Sequence, residues 1–138
     1  MTRVLLSALG YASIVFPLAV IWHLVLFKDS YMAFRYFDSE PNVLLGFITI
    51  LIQGLVLAWL YPRYDPDHPG TGRAFRFAAI MGLFLWTCHV LAFVAKQNVP
   101  FAMGYIAIET GYLIIQFSLF AVLLRLIYRG DDSNISKP

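Results

Sequence analysis

Of 138 residues, 60% are hydrophobic and 13% charged, against roughly 45–50% apolar and about 25% charged in soluble domains, and a chain this short has too much surface to hide the excess in a core. The net charge of +2 comes from basic residues scattered between apolar runs, which excludes the basic stripe that nucleic acid needs. The single cysteine, Cys88, excludes an internal disulfide and any CxxC redox or zinc motif.

The apolar residues fall into long runs, which predicts an all-α, polytopic membrane protein: a bundle of four transmembrane helices in one unit, residues 1–129, followed by a polar, disordered tail, 130–138. A spanning helix needs about 20 apolar residues, because the hydrocarbon core is about 30 Å thick and each residue rises about 1.5 Å. The first run, Val4 to Phe27, follows Arg3 but is longer than the roughly 7–15 apolar residues of a signal peptide, so it reads as a retained span, kinked at Pro17. The connection from Lys28 to Asn42 mixes Lys28, Asp29, Asp38 and Glu40 with Tyr31, Phe34, Tyr36 and Phe37, a composition suited to the membrane interface.

The second span covers Val43 to Tyr61. Pro62 to Arg76 is then a connection rich in Pro and Gly, in which Gly70-Thr71-Gly72 is a turn without the lysine of a phosphate-binding loop. The third span, Phe77 to Ala95, and the fourth, Met103 to Tyr128, flank a short link, which makes them antiparallel neighbours. Cys88 lies within the third run and reads as a small buried hydrophobe. Trp22, Trp59 and Trp86 read as packing and interface anchors. Of the ten Lys and Arg, Arg3, Arg63, Arg73, Arg76, Arg125, Arg129 and Lys137 fall on one side of these spans, and Lys28, Arg35 and Lys96 on the other. The positive-inside rule then places both termini in the cytoplasm.

Strongly polar groups in hydrocarbon are costly and turn to the bundle interior. Counted from the ends of their spans, His23, Thr49, His89 and Glu109 sit within about one helical turn of the same level, in the outer half of the bilayer, and Gln53 lies one turn deeper than Thr49. Glu109 is the one carboxylate inside an apolar run. Such a group must be neutralised or paired, and its candidate partners are His23, His89 and Thr49. Tyr105, Tyr112 and Gln116 share the face of Glu109, while Gly82, Trp86, His89 and Lys96 share a face of the third span, where Gly82 admits another backbone or a flat ligand.

This set supports more than one chemistry. His23, His89 and Glu109 are a ligand type suited to a transition metal, and paired histidines on facing helices suit a haem. A membrane Glu with neighbouring His and Tyr112 suits a ligand site or proton relay in a transporter, for which so small a chain requires a homo-oligomer. A small bundle with short loops also suits an accessory, assembly or sensing subunit of a larger membrane complex, and that is the primary expectation. An enzyme acting on a lipid or quinone is a further alternative, which no Ser/His/Asp or Cys/His nucleophile arrangement supports, and the partners expected are the lipid bilayer and a homo-oligomer or larger membrane complex, not nucleic acid.

The segment Ile21-Trp22-His23-Leu24-Val25-Leu26-Phe27, with His23 in place of a tyrosine, and the segment Glu109-Thr110-Gly111-Tyr112 resemble those of small bacterial four-helix membrane proteins of the domain-of-unknown-function kind. The resemblance implies the four-span fold and a bacterial inner-membrane location, and it implies no activity.

Overall fold

A computed structural model describes residues 1–37, 39–67 and 70–129; the expected tail lies outside them. The described residues are helical or in short turns, with no strand among them. Helix α1, Thr2–Ile21, runs unbroken through Pro17 and continues as a π-helical turn, Trp22–Leu26. A short helix α2, Lys28–Ala33, precedes α3, Val43–Leu60, which ends in a 3-10 turn, Tyr61–Arg63. Helix α4, Thr71–Trp86, passes through a second π-helical turn, Thr87–Leu91, into α5, Ala92–Lys96, and α6 spans Ala102–Ile127. Four stretches, Thr2–Leu26, Val43–Arg63, Thr71–Lys96 and Ala102–Ile127, are long and apolar enough to cross a membrane.

Two connections are more ordered than their composition suggests. The Lys28–Asn42 segment contains α2, whose Tyr31 turns inward and is fully buried. The third span begins at Thr71 rather than Phe77: Gly70 adopts φ 121°, and the helix starts at the next residue. That early start is fixed by Arg73, a buried arginine whose Nε donates to the Tyr64 carbonyl at 2.7 Å and whose Nη2 donates to the Tyr61 carbonyl at 2.9 Å. Its guanidinium also lies 4.6 Å from the centre of the Tyr61 ring. Residues that read as loop formers are thereby held as the first turn of α4.

Helix α1 packs on α3 and on α6, and α6 packs on α4, whereas α3 and α4 do not pack closely on each other. The four long helices therefore form a row, α3–α1–α6–α4, with α1 and α6 in the middle. Close approach of α1 and α3 depends on Gly54, where a Cβ would come within 3.0 Å of both the Ala8 carbonyl oxygen and Tyr11 Cδ1. Gly82 admits the Phe117 ring, 3.1 Å from where its Cβ would be, so the close approach there is to a side chain rather than a backbone. Cys88 is exposed, not buried: an apolar run sets a residue's depth but not the face it occupies.

Candidate functional site

Glu109 lies near the start of α6 with a side chain that is 0% exposed. Its Oε1 accepts a 2.5 Å hydrogen bond from the Tyr31 hydroxyl and lies 3.1 Å from His23 Nε2. Its Oε2 faces His89 Nε2 at 3.3 Å, ion-pair distance, but has no well-formed hydrogen bond. Exposure rises outward from the carboxylate, to 14% at the His23 side chain and 36% at that of His89.

Both imidazoles stand on π-helical turns, His23 on Trp22–Leu26 and His89 on Thr87–Leu91. Such turns widen the helix and recur at functional sites. In the first, His23 Nδ1 lies 2.9 Å from the Ala19 carbonyl oxygen. The second explains a departure from the expected face. A wider turn winds each residue through a smaller angle, so His89 looks out beside Leu85 into one cavity, while Gly82 and Trp86 border another. Trp86 Nε1 donates to Thr110 Oγ1 at 2.9 Å.

The hydrogen bonds fix a proton count. A carbonyl only accepts, so His23 Nδ1 carries a hydrogen. If His23 were neutral and Glu109 ionised, lone pairs on Nε2 and Oε1 would face each other at 3.1 Å. One further proton therefore belongs to the His23–Glu109 pair, as imidazolium with carboxylate or as neutral imidazole with carboxylic acid, and the pair is neutral either way. That neutrality is what a low-dielectric site favours, since an isolated buried charge costs several kcal/mol.

A cavity of about 300 Å³ lies against the imidazoles. His23, His89, Thr49, Gln53, Tyr112 and Gln116 all border it, and Glu109 does not. Of the candidate partners of Glu109, His23 and His89 stand beside it and Thr49 does not. Thr49 donates to the Leu45 carbonyl of its own helix at 2.9 Å and does not pair with Glu109. Gln53 belongs to a separate chain of bonds, in which Gln116 Nε2 donates to the Tyr11 hydroxyl at 2.7 Å and that hydroxyl donates to Gln53 Oε1 at 3.3 Å. Tyr112 is buried with its ring edge-on to His23, centroids 4.8 Å apart.

Tyr31, the shortest contact to Glu109, was missed because it lies in a polar connection rather than an apolar run; four aromatics in ten residues there, Tyr31, Phe34, Tyr36 and Phe37, were the available signal. Burial, reinforced by the nearby Glu109 charge, pushes the phenols of Tyr31 and Tyr36 above the ordinary tyrosine range, so Tyr31 keeps the proton that it donates.

For a metal, no group of three His, Cys, Asp or Glu among the described residues forms a ligand set. For a haem, Glu109 occupies the space between the imidazoles, with His23 on one oxygen and His89 on the other. No protein family, curated protein or solved structure matches the chain.

Proposed function

We propose that this chain is a proton-responsive sensing or accessory subunit of a membrane complex, working through the His23–Glu109–His89 site. The observation that carries this reading is the incomplete coordination of Glu109. Oε1 is fully served by Tyr31 and His23, whereas Oε2 is buried with only His89 nearby, at 3.3 Å and without a formed hydrogen bond. Among the described residues His89 is thus the one donor within reach of Oε2, and its protonated form makes that contact charge-assisted. His89 is also the most exposed member of the set, which makes it the member best placed to exchange a proton with its surroundings.

Access from one side favours sensing over carriage. Beyond Tyr11, on the side of Arg73, the interior is closed by aromatic contacts: Tyr11 with Phe120 at 4.9 Å, Tyr61 with Tyr128 at 4.9 Å and Tyr61 with Phe77 at 5.3 Å. A proton-linked carrier acting as a homo-oligomer is the second reading, supported by the two π-helical turns, which could shift register and withdraw both imidazoles together. The charge bias puts Arg73 and both termini on the cytoplasmic side of a bacterial inner membrane, and the His-bearing end outside. A reporter fused at Pro138 tests that orientation.

The test of function is a pH titration of the 15N-labelled imidazoles in mild detergent, followed by NMR. His23 and His89 should titrate as a coupled pair, and Glu109→Gln should separate them into independent transitions. Independent titration in the wild type would remove the proposed site. Stoichiometric metal in the purified protein, lost on His89→Ala, would replace it with a metal centre.

A further inference from the structure

The cavity beside the imidazoles has a size, a lining and a mouth that together specify an occupant. At about 300 Å³ it stands at the lower end of the roughly 300–1,000 Å³ range of small-molecule sites. Its walls are apolar and aromatic, with Phe16, Tyr36, Phe37 and Tyr112 among them. Its polar groups stand at two levels. His89 and His23 lie at one. At the other, Gln53 takes the Tyr11 hydroxyl on its carbonyl oxygen, which turns its amide N–H groups to other partners.

The mouth lies between α3 and α4, which do not pack closely on each other. Val43, Gly46 and Thr49 on the α3 rim are exposed, and a Cβ at Gly46 would meet nothing within 4 Å. In a spanning protein this opening faces lipid, so the occupant arrives sideways from the bilayer.

The charges narrow the chemistry. The ionisable His side chains on the wall carry zero or positive charge, which disfavours a cation. Glu109, 3.3 Å from His89 Nε2, offsets charge gathered on the imidazoles, which leaves little to hold an anion. His23 spends both ring nitrogens on Ala19 and Glu109 and His89 Nε2 faces Glu109, so the donors left to the cavity are His89 Nδ1–H at one level and the Gln53 amide at the other, and they call for acceptors without charge. We propose that the cavity binds a flat, neutral ring bearing carbonyl oxygens and an apolar tail, the chemistry of a quinone, with a carbonyl on His89 and the tail leaving past Gly46. The proposal rests on the proton-site reading only through His89; Gln53 and the cavity walls are independent of it.

The experiment measures quenching of intrinsic tryptophan fluorescence in nanodiscs by decylbenzoquinone, with decylbenzene and decanoate as competitors. Saturable quenching is expected, with each competitor at least about tenfold weaker than the quinone, the scale of one lost hydrogen bond or less favourable charge. Gly46→Leu, at a position where a Cβ meets nothing within 4 Å, narrows the mouth and should weaken binding by a similar factor while leaving the circular dichroism unchanged. Gln53→Leu should weaken it several-fold. Non-saturable quenching, equal competition by decylbenzene, stronger competition by decanoate, or full binding by Gly46→Leu would each overturn the proposal. If Glu109→Gln leaves quinone binding intact and the imidazoles titrate independently in the wild type, the proton reading fails and the quinone site stands.

Discussion

Two buried ionisable side chains, Glu109 on α6 and Arg73 at the start of the neighbouring α4, are treated differently. Arg73 is 5% exposed and gives its guanidinium to the Tyr61 and Tyr64 carbonyls, with the Tyr61 ring against it. Its partners are backbone acceptors that cannot titrate, and their positions tie the 61–64 segment to the start of α4. Glu109 is fully buried too, but two of its neighbours are imidazoles, and one of its oxygens lacks a formed bond. A group surrounded by fixed partners holds structure together. A group surrounded by titratable partners and left short of one bond stores a choice between protonation states. Burial alone does not separate the two cases; the identity and completeness of the partners do.

The comparison breaks most visibly under paired substitutions. Arg73→Met should destabilise the protein by about 1–3 kcal/mol, because two carbonyls lose their donor, while the imidazole titration is unchanged. Glu109→Ala removes one member of a buried pair, for which the cost is about 3–5 kcal/mol, and it abolishes the coupling between His23 and His89. Thermal unfolding in detergent, combined with NMR titration of each variant, gives both numbers. Equal disturbance of the titration by the two substitutions would show that Arg73 is not purely structural and would end the distinction.

A finer test concerns Tyr31. Its hydroxyl is the shortest contact to Glu109, at 2.5 Å, so Tyr31→Phe should cost about 1.5–3 kcal/mol, the scale of a hydrogen bond to a charged group. It should also disturb the imidazole titration, because Oε1 is then left with His23 alone. A titration unmoved by Tyr31→Phe would mean that α2 braces the site without tuning it.

How much of this was legible in the sequence follows from what periodicity can report. Long apolar runs gave the spans, and counting from their ends brought His23, His89 and Glu109 to one level, as the structure does. Depth, however, is not azimuth. Thr49 shares the level and bonds to its own helix, Cys88 faces outward, and His89 parts from Gly82 and Trp86 because the π-helical turn adds a twist that no 3.6-residue wheel contains. Tyr31 and Arg73 were missed for a common reason. Each lies in a connection whose polar composition reads as loop, and each is ordered by a tertiary bond, to Glu109 in one case and to the Tyr61 and Tyr64 carbonyls in the other.

The smallest expected effect lies at alkaline pH and bears on the α2 end alone. The phenols of Tyr31 and Tyr36 are pushed up by burial and by Glu109, whereas in the unfolded chain they ionise near pH 10. Above about pH 10 the unfolded state has released protons that the folded state retains, so stability falls as pH rises through that window, whereas below it these groups contribute no pH dependence. Tyr36→Phe should therefore flatten the alkaline loss of stability, read from unfolding midpoints between neutral pH and about pH 11. Tyr36, unlike Tyr31, makes ring contacts to both His23 and His89, at 6.2 and 6.3 Å between centroids, so the same variant also probes whether an aromatic wall shared by the two imidazoles is needed for their coupling. A flattened alkaline slope with coupling intact would assign Tyr36 to packing. Loss of both would extend the proton site to the cavity wall itself.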